Sequence, residues 1–424
     1  MLSGLTRSFS SSSNLGLRKG RLPHEWIVVA VLLIIGIVGL GLRFSFGVFF
    51  KSLQEDFGWS RASTSGIFSV YLVLCAVFAI LGGWALDRYG AKIVFAMMGF
   101  FAGLSLLLTS QVIVPWHLFL TYSLLLALGT APIYVTSMSM VSRRFVKRRG
   151  LALGIVSSGG GMGMILMAPI SASLISGYGW HTACLLLSLI AFFTMIPCAL
   201  LLGRLSGEVA ALPDVEEQHY NEPGGFSLLE AAKTRSFWLL FLILFLLSFC
   251  VYAVITHIVP HAIDLGVNPI QAASMISFIG IGSVLGRLVM GRVSDSIGGK
   301  QGLVITALLL AGAMLWLIGS SNLWMLYLFT IIFGFSFGAT APLNAVLIGD
   351  SFGLRHVGLI MGVVDIGWSV GAACAPALAG YIFDIGGSYA PAFIGGIVTA
   401  LVAAVLTLFL RMPKAMAKEK LSSR

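Results

Sequence analysis

The chain has 424 residues, 58% of them hydrophobic and only 10% charged, and its mean hydropathy is +0.99. A soluble domain carries about 25% charged residues, so this composition excludes a water-soluble globular protein and points to one dissolved in lipid. The formal net charge is +10, and its meaning depends on where the 26 Lys and Arg residues fall.

Apolar runs of about 20 residues can each cross about 30 Å of hydrocarbon. In chain order twelve such runs lie near residues 26–50, 64–86, 92–111, 116–140, 150–176, 180–202, 236–262, 270–292, 301–320, 323–348, 357–383 and 389–410. They are too long and too continuous for alternating barrel strands, so they are expected to be helices, the other way to satisfy a backbone in lipid. The expected organisation is a tail over 1–25, a six-helix bundle over 26–202, a polar linker over 203–235, a second six-helix bundle over 236–411 and a tail over 412–424. The first 21 residues are Ser-rich and basic without an acid, the composition of a disordered cytoplasmic tail or an over-long start.

With the N-terminus in the cytoplasm, Lys51 and Arg61 fall in external loops, Arg43 and Arg287 fall inside helices, and the other 22 cations face the cytoplasm. The inside-positive rule therefore places both termini in the cytoplasm. The basic charge is a record of topology and excludes a nucleic-acid partner. Cys75, Cys184, Cys198, Cys250 and Cys374 all lie in apolar runs without metal-ligand spacing, so packing is expected, not a disulfide or a metal site. No phosphate-binding GxxxxGK[ST] loop occurs, and the Gly159–Gly163 run sits mid-helix, where glycine permits close helix contact. No nucleophile, base and orienting group share a face, so neither an enzyme nor a cofactor is read.

A ten-residue pattern occurs twice, as GWALDRYGAK (Gly83 to Lys92) and GRVSDSIGGK (Gly291 to Lys300), 208 residues apart. The same offset carries RGLALG (from Arg149) onto VGLIMG (from Val357), and Gly159 and Gly163 onto Gly367 and Gly371. Two unrelated motifs sharing one offset indicate that one half has been written twice.

Three charges lie well inside the membrane. Arg287 is about 12 Å from the cytoplasmic Asp295, Asp365 about 15 Å from Arg355, and Arg43 about 12 Å from the external Lys51, at 1.5 Å per residue. Such residues cost about 2.5 to 3.5 kcal/mol to insert and mark substrate or ion paths by default. Each also breaks the repeat, because the offset sets Arg287 against Ala79, Asp365 against Ser157 and Arg43 against Val251. Two other readings remain open: Arg287 and Asp365 paired as a latch, and Arg43 snorkelling to the surface. An unpaired guanidinium suits a carboxylate, which takes two parallel hydrogen bonds from its fork. The substrate expected is thus a small organic anion, with Ser283, Trp368, Tyr252 and Asn344 as candidate contacts.

The GxxxDRxGxK pattern after the second helix, with its weaker copy after the eighth, resembles the signature of the major facilitator superfamily. GLRFSFGVFFKSLQEDFGWSR (Gly41 to Arg61), RRFVKRRGLALGI (Arg143 to Ile155), HIVPHAIDLG (His257 to Gly266), GRLVMGRVSD (Gly286 to Asp295) and GYIFDIGGSY (Gly380 to Tyr389) are similar to the bacterial branch of the monocarboxylate and oxalate/formate transporters. The resemblance implies an all-α membrane protein of twelve helices in two pseudo-symmetric six-helix bundles, acting as a monomer in the bacterial cytoplasmic membrane. It also implies alternating access to a small carboxylate such as lactate, pyruvate or oxalate. The family's eighth-helix arginine, a carboxylate ligand, falls on Arg287. The aspartate implicated in proton coupling in animal relatives falls on Ser283, so Asp365 becomes the candidate proton acceptor. The animal first-helix lysine aligns nearest Phe44, one place from Arg43, and its role does not carry over cleanly.

Asp87 and Asp295 are expected to accept hydrogen bonds at helix N-termini of the opposite half, with Arg88, Lys92 and Arg149 completing a cytoplasmic gating network. His257 and His261 share a helix face near the external end of the seventh helix, and His257 is a candidate for gating or proton relay. Three functions stay open at this stage: a carboxylate carrier with or without a proton, a carboxylate exchanger, and a membrane sensor of carboxylate.

Overall fold

A computed structural model describes residues 22–145, 149–207, 226–353 and 357–410. Its helices are α1 (Leu22–Phe44), α2 (Phe46–Phe57), α3 (Arg61–Thr109), α4 (Leu126–Thr130), α5 (Ile133–Arg144), α6 (Arg149–Ser157), α7 (Gly159–Gly207), α8 (Leu228–Ala232), α9 (Arg235–Asp264), α10 (Pro269–Ile297), α11 (Gly299–Ile318), α12 (Leu323–Phe352), α13 (Val357–Gly386) and α14 (Ala390–Leu408). A π-helical stretch, Phe119–Leu125, leads into α4.

Among the described residues eleven stretches are long and apolar enough to span a membrane. One of them, Ala152–Leu205, has 54 residues, about 80 Å of helix at 1.5 Å per residue and too long for one crossing. It is divided at Gly179, whose φ of 78° and ψ of 164° are non-helical, so the described residues hold twelve segments of a length and composition to cross a membrane. The same device divides α3 at Gly90, with φ 78° and ψ 167°. A positive φ of this kind is open to glycine and strained for other residues, which makes these turns sequence-specific.

The duplication is written in the backbone. Glycines with positive φ stand at 58 and 266, at 90 and 298, and at 179 and 387, each pair 208 residues apart. Helix caps repeat at the same offset: the Ser60 side chain accepts from the amide of Ser63, and the Asn268 side chain from that of Ile270. Asp56-x-Gly58-x-Ser60 and Asp264-x-Gly266-x-Asn268 are thus two copies of one turn-and-cap unit.

Packing follows the same symmetry. α1 packs on α7 in the first half and α9 on α13 in the second, while α7 meets α10, and α3 meets α13, across the halves. Lipid gives helices no hydrophobic reason to associate, so close backbone approach through small residues does that work. A Cβ added at Gly163 would lie 2.5 Å from the Ile37 carbonyl oxygen, and one at Gly371 would lie 2.2 Å from that of Phe245. Gly163 of α7 and Gly371 of α13 therefore serve helix contact.

The structure departs from expectation in three places. The first crossing is interrupted at Ser45, between α1 and α2. Residues 226–232, expected in a solvated linker, are docked: Phe226 donates its amide to the Phe352 carbonyl, and α8 opens with a Ser227–Glu230 capping box. Cys374 is exposed, whereas Cys75, Cys184 and Cys250 are buried as expected of packing residues.

Candidate functional site

The polar groups expected to matter converge where helices are broken. Arg43 occupies the last turn of α1, just before the break at Ser45. Its Nη2 donates to the Tyr252 hydroxyl of α9 at 2.8 Å, a bond between the two halves. The guanidinium lies 5.6 to 5.9 Å from the ring centres of Phe44, Tyr71 and Tyr252, within cation–π range. Phe44, Phe337, Trp368 and Tyr252 continue this aromatic wall, each neighbouring pair of rings 6.3 Å apart. Arg43 therefore faces aromatic groups of both halves and does not snorkel to the surface.

Arg287, on α10, reaches across to the other half. Its Nη1 donates to the carbonyl of Ser157, the last residue of α6, where the helix end leaves that oxygen available to a side-chain donor. Asp365, on α13, accepts instead from Asn344 Nδ2 at 3.1 Å. The described ion pairs both involve Asp264, so the Arg287–Asp365 latch does not form in this state. Tyr134 of α5 stands within electrostatic reach of both groups.

Burial without a partner is the strongest mark of this region. Arg43 Nε, Arg287 Nε, Ser283 Oγ and Asn344 Oδ1 are all shut off from solvent without a hydrogen-bond partner among the described residues. Such groups normally find a partner, and an orphan calls for an explanation; a bound ligand supplies one. Ser283 lies one turn before Arg287 on α10, and Asn344 of α12 holds Asp365 of α13. Trp368, one turn after Asp365 on α13, packs its ring against that of Tyr252.

His257 has other partners. It is buried, with Nδ1 2.9 Å from the Tyr389 hydroxyl and Nε2 2.9 Å from the Pro376 carbonyl oxygen, so its partners lie toward the Arg61 end of the bundle and do not include Asp365. Of the proposed gating residues, Arg88 lies over the rings of Trp84 and Tyr89, and the Lys92 stem covers Gly203, all within the first half. The side chains of Asp87, Arg149 and Asp295 lie outside those described. Sequence reasoning passed over Tyr134, because a tyrosine in an apolar helix carries no mark of its own.

Two packed helical bundles with polar groups at their interface are an architecture that membrane transporters use. The profile of the Major Facilitator Superfamily matches residues 31–300 and 258–424, and the chain belongs to that family. Relatives include Monocarboxylate transporter 13 of Bos taurus, 27% identical over 382 residues (87% of this chain and 85% of the relative), and Monocarboxylate transporter 11 of Homo sapiens, 28% identical over 383 residues (87% and 79%). The fold is shared with a bacterial homologue of the human lysosomal transporter Spinster in an inward-facing, occupied conformation, at TM-score 0.72 and 16% identity over 92% of this chain and 97% of that one. It is shared also with the nucleoside transporter NupG, at TM-score 0.71 and 15% identity over 90% and 99%. The protein is thus a monocarboxylate-transporter-like member of this family and not an enzyme.

Proposed function

We propose that the protein is a secondary active transporter that carries a small organic anion, most closely a monocarboxylate such as lactate or pyruvate, by alternating access. The observation that carries this reading is Arg287, a guanidinium deep in the bundle whose Nε is buried without a partner and which has no carboxylate within 4.0 Å among the described residues. A substrate carboxylate would take the two parallel N–H bonds such a fork offers. Ser283 and Asn344 would complete its polar contacts, and Tyr252, Trp368 and the Arg43 cage would bound its apolar side. The names of the relatives support the substrate class.

In this reading Asp365 carries the coupled proton. Protonation makes its oxygen a donor and removes the negative charge that would repel an arriving carboxylate. Exchange of two carboxylates is the second reading, favoured by the excess of two interior guanidiniums over one acid. An empty site would then close around uncompensated positive charge, which is costly in a medium of low dielectric. The orientation that fits the charge distribution puts both termini in the cytoplasm of a bacterial cell and the Arg61 end outside.

The test is uptake of labelled lactate into proteoliposomes. Arg287→Ala is expected to abolish uptake, and unchanged uptake would refute the carboxylate assignment. In the same vesicles an imposed pH gradient should accelerate uptake if symport is right, and Asp365→Asn should remove that acceleration while sparing exchange. Acceleration by internal carboxylate alone would select the exchanger.

A further inference from the structure

At the end of the bundle that bears Arg61, residues of the second half close on the first turn of α3. Asp384, near the end of α13, accepts the backbone amides of Arg61 and Ala62 at 2.9 and 2.8 Å, one on each carboxylate oxygen. An anion is favoured there by the unpaired amides and the dipole of the helix. The Arg61 side chain crosses the other way. Its Nη2 donates to Asp264 Oδ2 at 2.5 Å, its Nη1 to the Tyr389 hydroxyl at 2.6 Å, and its guanidinium carbon lies 3.7 Å from the centre of the Phe383 ring. Lys51 adds a second cation on Asp264, at 3.1 Å.

The hydrogen-bond directions close without conflict. The Pro376 carbonyl can only accept, so the proton is on His257 Nε2. Nδ1 then accepts from the Tyr389 hydroxyl, whose oxygen accepts from Arg61. The backbones are close enough that a Cβ at Gly380 would lie 2.7 Å from the Arg61 carbonyl oxygen.

The cluster does not belong to the repeated fold. Asp264 has its counterpart in Asp56, which accepts from Trp180 of its own half at 3.2 Å. Asp384 corresponds to Ser176, which bonds within its own helix to Ser173, and Arg61 to Pro269. These contacts across the halves therefore have no counterpart under the repeat.

We infer that this cluster is the latch that holds the Arg61 end of the transporter shut, with Asp384 on the α3 amides and Arg61 on Asp264 as its two reciprocal parts. Under the alternating-access reading, on which the inference rests, these bonds separate each time the cavity opens toward that end. Asp264 and Asp384 are exposed, so water can take over their hydrogen bonds as the halves part, while Arg61, 7% exposed, is the group that must leave its seat.

The full chain in lipid nanodiscs, spin-labelled at Glu55→Cys and Gln271→Cys, one exposed position on each half, tests this by electron–electron distance measurement, with the exposed Cys374 replaced by serine. The parent chain should give a short distance. Asp384→Ala and Arg61→Ala should each shift the distribution toward a longer component, and Asp264→Asn should do so to a smaller extent. A distribution unchanged by both alanine variants overturns the inference, since packing alone would then hold the end closed. If Arg61→Ala fails to fold, Asp384→Ala decides, because an exposed acid can be removed without disturbing the core. No substrate is added, so a protein that proved unable to carry carboxylate would still answer this question.

Discussion

Arg43 and Arg287 are both interior guanidiniums, but they are held differently. Arg43 has a hydroxyl and three aromatic faces, whereas Arg287 has one backbone carbonyl at the end of a helix. Tyr252→Phe keeps the ring and removes the hydroxyl, leaving a buried charged donor unpaired. Thermal unfolding in detergent should register a loss of about 1 to 3 kcal/mol. At position 287 lysine keeps the charge but not the planar fork. Arg287→Lys is therefore expected to bind lactate more than tenfold more weakly in proteoliposome uptake, about 1.4 kcal/mol or more. The interior charges were legible in the sequence because each violates both the hydropathy and the repeat. Arg61, Asp264 and Asp384 were not, since charges near loops are ordinary and only the folded chain reveals that the three meet.

At the level of elements, hydropathy located the crossings and missed their interruptions. The breaks at Ser45 and Ser158 do not alter the apolar run, and a linear reading has no signal for them. Yet these breaks flank Arg43 and free the Ser157 carbonyl for Arg287, while the corresponding helices of the second half, α9 and α13, run through without a break. Continuous helices supply rigid walls on one side, and segmented helices supply backbone groups on the other. Glycines divide in the same way between packing and open surface. Gly163→Ala should cost about 1 to 3 kcal/mol through overpacking against α1. Gly312, with nothing within 4 Å of an added Cβ, should tolerate alanine or gain about 0.5 to 1 kcal/mol from it. Paired melting curves of the two variants would check the contrast.

For the whole molecule, the offset of 208 residues relates turns, caps and helix contacts alike, so the scaffold was readable from one repeated motif. What the offset does not relate is the machinery: the interior charges and the latch at the Arg61 end. Partly exposed ion pairs are each worth only about 0.2 to 1 kcal/mol, which suits contacts that must be remade in every cycle. A competition series of short carboxylates against labelled lactate would size the cavity. Inhibition should fall off sharply once the chain outgrows the aromatic wall of Phe44, Phe337, Trp368 and Tyr252.

Asp56 and Asp264 occupy the same place in two copies of one turn, and one binds Trp180 at home while the other binds Arg61 and Lys51 abroad. The molecule thereby contains its own internal control. Asp56→Asn reports what that carboxylate contributes to stability within a bundle, and Asp264→Asn reports the same together with its hold on the opposite bundle. Both should lower the melting temperature modestly, and only the second should change the distance between the halves. Subtracting one from the other separates the energy of being folded from the energy of being closed, within a single chain.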